Sequence, residues 1–365
     1  MASVSWPRWG AVAAGVAVLL AVPPAIGALP ARDSGVSAAA LLARIQGSGA
    51  AGYSGYAEAV GGLRLPLTDQ FSSLVDLFGD RTRLRVWWRG EQDWRVDAVA
   101  ATGETDVHRD AEGTWTWEYE RNEATVTDDA PVRLPRGADL DPAQLGRRLL
   151  SEADPAEVIR LPARRVAGVD APGLRLHPDD PLTTITRVEV WADPGTGLPL
   201  RVEVYGTGQS AAALQAAYLD FRPGRPDAGT TAFRPPPDAT ISAQQIGDLV
   251  ARINRFAPLR PPELLAGYPV RRRVEGLGGV GTYGRGVTVL TAVPLSARIS
   301  RPLREALADT PGVRSAVGGL SLGIGPVSLL LSDLEIDGRI WLLAGTVSVD
   351  TLRRAVADLT PPGPR

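Results

Sequence analysis

Between Arg81 and Asp128 the side chains change character at every second residue, and a period of two commits this stretch to β-structure. In Thr82 to Arg89, Leu84, Val86 and Trp88 alternate with Arg83, Arg85, Trp87 and Arg89. In Trp94 to Ala100, Trp94, Val96 and Ala98 alternate with Arg95 and Asp97. In Thr114 to Glu120, Trp115, Trp117 and Tyr119 alternate with Thr116, Glu118 and Glu120. The separators Arg89-Gly90-Glu91 and Asp110-Ala-Glu-Gly113 are short enough for hairpins. The expected product is an antiparallel meander with one polar face and one face rich in Trp and aliphatics.

Composition narrows the functional classes. The net charge is −2, so no basic footprint points to nucleic acid. All 39 basic residues are arginine, which with the abundance of Ala, Gly and Pro fits a G+C-rich bacterial genome. The chain has no cysteine, which excludes disulfides, thiolate metal sites and cysteine nucleophiles. At the N-terminus Arg8 is followed by the apolar run Ala11 to Val22, the helix-breaking Pro23-Pro24, and small residues near Ala28 and Ala31. Residues 1–31 therefore read as a signal peptide for export across the cytoplasmic membrane. Cleavage is favoured over an uncleaved anchor, although Trp9 to Ala31 is long enough to span a bilayer.

Elsewhere the pattern predicts a helix over Ser37 to Gln46 with Leu41, Leu42 and Ile45 on its apolar face, and a first strand over Tyr53 to Glu58. A short helix is expected around Ser72 to Phe78. Asp141-Pro142 starts a helix striped by Leu145, Leu149 and Leu150. Strands follow over Arg164–Val169, Gly173–His177, Thr186–Trp191 and Leu200–Tyr205, with a turn at Asp193 to Pro199. A helix or strand is expected near Ala211 to Phe221. Ser242 and Gln245 match a capping box opening a helix that carries Ile246, Leu249, Val250, Ile253 and Phe256. A small α+β unit then holds a strand over Val287–Pro294, a helix capped by Ser300, a hairpin turning at Asp337-Gly338 and a last helix from about Asp350 to Leu359.

Four stretches resemble the lipoprotein-carrier-like superfamily. They are Leu41 to Ile45 leading to Tyr53–Tyr56, Val166 to Pro178, Val188 to Val202, and the closing Phe233-Arg-Pro-Pro-Pro-Asp238. That superfamily includes LolA, LolB, the mycobacterial lipid-binding lipoproteins and the sigma-factor regulators of the RseB/MucB type, whose two-domain layout is the most similar. The resemblance implies an α+β fold. A curved antiparallel half-barrel covered by helices would precede a smaller α+β domain. The domain boundaries expected are 32–240, a helical linker 241–262, and 263–365. Simple carriers end near the Pro-rich segment, whereas RseB-type proteins add a C-terminal domain that contacts a membrane-bound anti-sigma factor.

On this reading Leu84, Val86, Trp88, Trp94, Val96, Trp115, Trp117 and Tyr119 line one hydrophobic hollow for a lipid or lipoprotein acyl chain. Burial would drive entry at roughly 0.8 kcal/mol per CH₂. The chain would be a non-enzymatic regulator acting on a membrane-bound partner, or alternatively a lipid or lipoprotein carrier. No cofactor or metal is expected. Arg271-Arg272-Arg273 could meet a partner, against the alternative of a solvated edge strand. Gly319-Leu-Ser321-Leu-Gly323 matches a nucleophile elbow, so a hydrolase using Ser321 is the remaining rival. It lacks a following histidine, since His108 and His177 both come earlier. Gly276 to Gly281 matches Gly-x-Gly-x-x-Gly but reads as a glycine-rich hairpin. His177-Pro-Asp-Asp180 and Asp128-Asp129 hold metal- or acid-base-type groups but lie where Asp stabilises turns.

Overall fold

Helix formation begins where a hydroxyl can satisfy a free amide. Ser37 accepts a hydrogen bond from Ala40 N at 3.2 Å and starts α1 (Ala38–Gly47), which buries Leu41, Leu42 and Ile45. The computed structural model describes residues 30–61, 81–100, 103–127, 136–244, 261–273, 279–336 and 339–359. Residues 1–29 of the expected signal peptide (1–31), the helix expected at Ser72–Phe78 and the Asp128-Asp129 pair lie outside these residues. Among the described residues no helix is long and apolar enough to cross a membrane.

Twelve strands form the first sheet. They are β1 (Tyr53–Gly61), β2 (Arg81–Gly90), β3 (Asp93–Ala100), β4 (Gly103–Arg109), β5 (Thr114–Glu118), β6 (Glu123–Thr127), β7 (Val158–Val166), β8 (Val169–Leu176), β9 (Ile185–Ala192), β10 (Pro199–Gly206), β11 (Leu214–Pro223) and β12 (Thr240–Gln244). Their spatial order is β12-β6-β5-β4-β3-β2-β1-β11-β10-β9-β8-β7. Two meanders thus meet where β1 pairs antiparallel with β11. Among the described residues of this sheet, only β12 runs parallel to its neighbour, β6. The chain near Ala211–Phe221 resolves as strand, because Ala216 and Tyr218 alternate into the core.

One face of this sheet is covered by α1 and by α2 (Pro142–Leu149), as expected of a half-barrel. Asp141 caps α2 and Pro142 occupies its first turn. Between the two helices and the sheet lie Leu41, Leu42, Ile45, Leu150, Leu174, Val190, Leu200 and Val202, all essentially inaccessible. The β9–β10 turn seats α1. Asp193 Oδ1 accepts from Thr196 N at 2.7 Å, and Gly197 turns at φ +75°. A Cβ on Gly197 would stand 2.5 Å from Arg44 O, so only glycine lets the helix come this close.

The second sheet holds β13 (Leu264–Leu265), β14 (Tyr268–Arg273), β15 (Gly281–Arg285), β16 (Thr288–Leu295), β17 (Arg314–Ala316), β18 (Gly319–Ile324), β19 (Val327–Ile336) and β20 (Arg339–Gly345). Their order is β13-β14-β15-β16-β20-β19-β18-β17. A four-residue turn of helix, α3 (Ala228–Thr231), lies at the end of the first unit, and α4 (Ala297–Ala308) and α5 (Val349–Leu359) pack on the second. The α5 face buries Leu352, Ala355, Val356 and Leu359 against Leu330 and Leu343.

Two sequence expectations are corrected. Ser242 opens no helix and the linker does not begin at 241. Residues 240–244 form β12, and Ser242 Oγ lies 3.0 Å from Thr125 Oγ1 of β6. Pairing with an open sheet edge supplies more backbone hydrogen bonds than a cap supplies; residues 245–260 are outside the description. Ser300 is not a cap but lies inside α4, whose N-cap position is Ser296.

The two units touch through built contacts. Thr184 N donates to Thr346 O at 2.9 Å. Tyr268 OH donates to Asp180 at 2.8 Å. Arg285 donates to Glu157 Oε2 at 3.2 Å and to Glu152 O at 2.7 Å. Val287, at the tip of the β15–β16 hairpin, is buried in the core of the first unit.

Candidate functional site

Cross-strand partners in an antiparallel sheet share a face, so the register decides where the aromatic residues point. Trp88 pairs with Trp94, Val86 with Val96, and Leu84 with Ala98. Val96 pairs in turn with Val107, and Val107 with Thr116. The row opposite in phase runs Trp87, Arg95, His108, Trp115, and beside it Arg85, Asp97, Asp106, Trp117.

The eight residues expected in one hollow therefore divide. Leu84, Val86, Trp88, Trp94 and Val96 face the helices. Trp115 and Trp117 face the other way, and Tyr119 follows the end of β5 with 70 % of its surface exposed. The expectation of a single shared face is wrong, because Thr114 and Thr116, not the indoles, continue the core-facing row.

On the helix side the residues are packed. Leu84, Val86, Trp88 and Val96 are buried in the core that includes Leu41, Leu42 and Ile45, with Trp94 packed against it. Trp88 stacks between Tyr53 (6.1 Å, 9°) and Trp94 (5.7 Å, 11°). These rings act as core there, and the Trp88 Nε1 is buried without an acceptor.

On the opposite side a strap crosses β2–β5. Arg89 donates to Pro226 O, and Thr231 Oγ1 donates to Asp93 Oδ1 at 2.5 Å. Phe233 then lays its ring 4.6 Å from His108, 5.7 Å from Trp115 and 6.1 Å from Trp117. Beside it opens a cleft of about 570 Å³ lined by Arg95, Asp106, His108, Trp117, Phe233 and Arg234, among others.

Charge is concentrated at the floor of this cleft. Arg95 donates to both oxygens of Asp97 at 2.6 and 2.9 Å and to Asp106 Oδ2 at 3.1 Å. Arg85 approaches Asp97 at 3.7 Å and Glu104 at 2.6 Å. Burial, reinforced by the Asp97 charge, pushes the Asp106 carboxyl up to about 7. His108 is held by its Nδ1, which donates to the Thr231 carbonyl at 3.0 Å; burial lowers its affinity for a second proton. Asp97, Asp106 and His108 are all buried, each with a donor atom within 4.8 Å of the others. The sequence reading missed this group. Its signal was Asp106-Val-His108, whose period of two sends both polar side chains to one face while Val107 enters the core.

The remaining candidates resolve into structure. Arg271 is ion-paired with Glu152 of the first unit, so it is not a free partner patch; the side chains of Arg272 and Arg273 lie outside the description. Ser321 sits within β18, buried, its hydroxyl donating to Arg314 O at 3.2 Å, with no strand-to-helix elbow beneath it. Gly281 begins β15 rather than a helix, which removes the dinucleotide reading. His177 is exposed, and Asp180 accepts from Leu182 N and Tyr268 OH. A smaller cavity of about 130 Å³ lies between the units, lined by Glu152, Glu157, Asp180, Arg285 and Val287, among others.

No protein-family model matches the chain, and no curated protein matches it. Among solved structures it is similar to MucB in complex with MucA(peri), with a TM-score of 0.51 at 18% identity over 87% of this chain and 97% of that one. The Pseudomonas aeruginosa MucA/MucB complex gives 0.50 at 16%, over 87% and 96%. MucB alone gives 0.50 at 16%, over 88% and 96%. At these identities the likeness is one of fold. A half-barrel covered by helices and a smaller α+β unit, in the layout of MucB, is the architecture this chain adopts.

Proposed function

We propose that this chain is a non-catalytic binding protein of the bacterial envelope that acts on a membrane-bound regulatory protein of the anti-sigma type. The observation that carries the reading is the extent of the fold match. It spans 97% of MucB and 87% of this chain, so it includes the second unit that simple carriers lack. MucB itself is solved in complex with MucA(peri). A ligand that binds one arrangement of the two units better would shift the protein toward it and so alter partner binding.

The packing of Trp88, Val86 and Leu84 into the core that includes Leu41, Leu42 and Ile45 argues against an acyl chain resting among all eight aromatic and aliphatic residues. An acyl ligand would have to displace buried core, at a cost of about 1.5–3 kcal/mol per large apolar side chain exposed.

The test is recovery of the tagged full chain from its native membrane fraction after cross-linking, with native mass spectrometry of the eluate. One stoichiometric membrane protein is the expected result. Lipid mass without a protein partner would replace the proposal with a carrier role, and neither would overturn both.

A further inference from the structure

The proposed partner role leaves unused a buried polar group on β3 and β4. Asp97 is fully buried on β3, and Asp106 and His108 are 8 % and 2 % exposed on β4. Three features of this group point to a ligand. First, two buried carboxylates share one close guanidinium, that of Arg95, with Arg85 at the periphery. Buried charge demands compensation, and the two guanidiniums of Arg95 and Arg85 for the three carboxylates Asp97, Asp106 and Glu104 leave a deficit of one positive charge. Second, among the described residues no donor reaches the buried Asp106 Oδ1, while the Asp97 carboxyl stands close to Asp106. An orphaned acceptor of this kind calls for a missing proton, water or ion. Third, the Nδ1–H of His108 is committed to the Thr231 carbonyl, which leaves the lone pair on Nε2. A carbonyl behind an imidazole is the arrangement that orients metal-ligating histidines.

We propose that Asp97, Asp106 and His108 form a binding site for a first-row divalent cation of the zinc class. One imidazole nitrogen and two carboxylate oxygens suit zinc, whereas magnesium and calcium prefer oxygen alone. The cleft of about 570 Å³ gives the ion a path and a place for a solvent ligand. Binding draws Arg95 Nη2 away from Asp106 while its bonds to Asp97 remain. The ion would clamp β3 to β4 and, through the His108–Thr231 bond, steady the strap above them.

The chain has two histidines and no cysteine, so the site can be read almost without background. Zn²⁺ is titrated calorimetrically into the full chain after chelator treatment, alongside Asp106→Asn, His108→Gln and the control His177→Gln. One site per chain is expected, with binding at least about 10-fold weaker in Asp106→Asn and His108→Gln and unchanged in His177→Gln. Imidazole NMR of the unsubstituted chain keeps the test decisive if a variant fails to fold. Zn²⁺ should shift one of the two histidine signals. Absence of stoichiometric Zn²⁺ binding, or equal binding by a folded His108→Gln, overturns the proposal and assigns the missing charge to a proton on the carboxylate pair. The readouts involve no protein partner, so they stand or fall separately from the partner role.

Discussion

Asp141 joins a helix cap to two buried tyrosines in the core of the first unit. Its carboxylate caps α2 by accepting from Ala143 N, and it accepts from the buried hydroxyls of Tyr53 (2.5 Å) and Tyr218. Gln144 in turn donates to Tyr53 OH at 3.0 Å. Burial raises the Asp141 carboxyl above its ordinary value, with the tyrosine and backbone donors pulling the other way. Burial and the Asp141 charge likewise raise both tyrosines well above theirs. A carboxyl raised in the folded state binds more protons there than in the unfolded chain. Its contribution to stability is therefore greatest below the unfolded value of about 3.9 and is lost as pH rises through the folded one. Asp141→Asn cannot titrate, so its stability relative to the unsubstituted protein should improve as pH rises from about 4 to about 7. Urea unfolding at the two pH values reads this; a difference independent of pH would contradict the assignment. Tyr218→Phe, which removes one donor from a buried carboxylate, should cost about 1–3 kcal/mol at neutral pH in the same measurement.

At the level of elements, the strap at 226–236 depends on one ring. Phe233 covers His108, Trp115 and Trp117, while Thr231 ties the strap to Asp93 and His108. Phe233→Ala should cost about 1–3 kcal/mol, less than a fully buried ring because Phe233 is half-buried. Amide exchange should accelerate at 226–236 and in β4–β5 while α1 stays protected; uniform acceleration would mean that the strap is not a separate element. This region also shows what sequence periodicity can and cannot tell. Alternation located β2, β3 and β5, and the cap at Asp141-Pro142 located α2, because each signal is local. Which face a strand presents is set by the register across each hairpin, a long-range property. Trp115 and Trp117 look like core by hydrophobicity, yet Arg109 pairs with Thr114 and sends them to the strap side. The cover they receive there comes from Phe233, more than a hundred residues later, and no local pattern announces it. The same limit hid β12, whose pairing with β6 is non-local.

For the molecule as a whole, the joint between the two units sets how a partner bound to one could be felt by the other. Three kinds of contact hold it. Arg271–Glu152 and Arg285–Glu157 are ion pairs with substantially exposed arginines, and pairs of this kind contribute about 0.2–1 kcal/mol each. Val287 is buried in the core of the first unit, and a buried valine contributes about 1.5–3 kcal/mol. The backbone bond from Thr184 N to Thr346 O adds a third, directional tie. The apolar contact should therefore dominate. Val287→Asp should separate the units, increasing the radius of gyration in solution scattering and exposing the joint to limited proteolysis, with each sheet still folded. Glu152→Gln combined with Glu157→Gln should leave the scattering profile nearly unchanged at physiological salt, since screening already weakens exposed pairs. If the charge variant opens the joint and Val287→Asp does not, electrostatics holds the units together. The joint would then respond to ionic strength and to acidic or basic partners, rather than behave as a fixed apolar hinge.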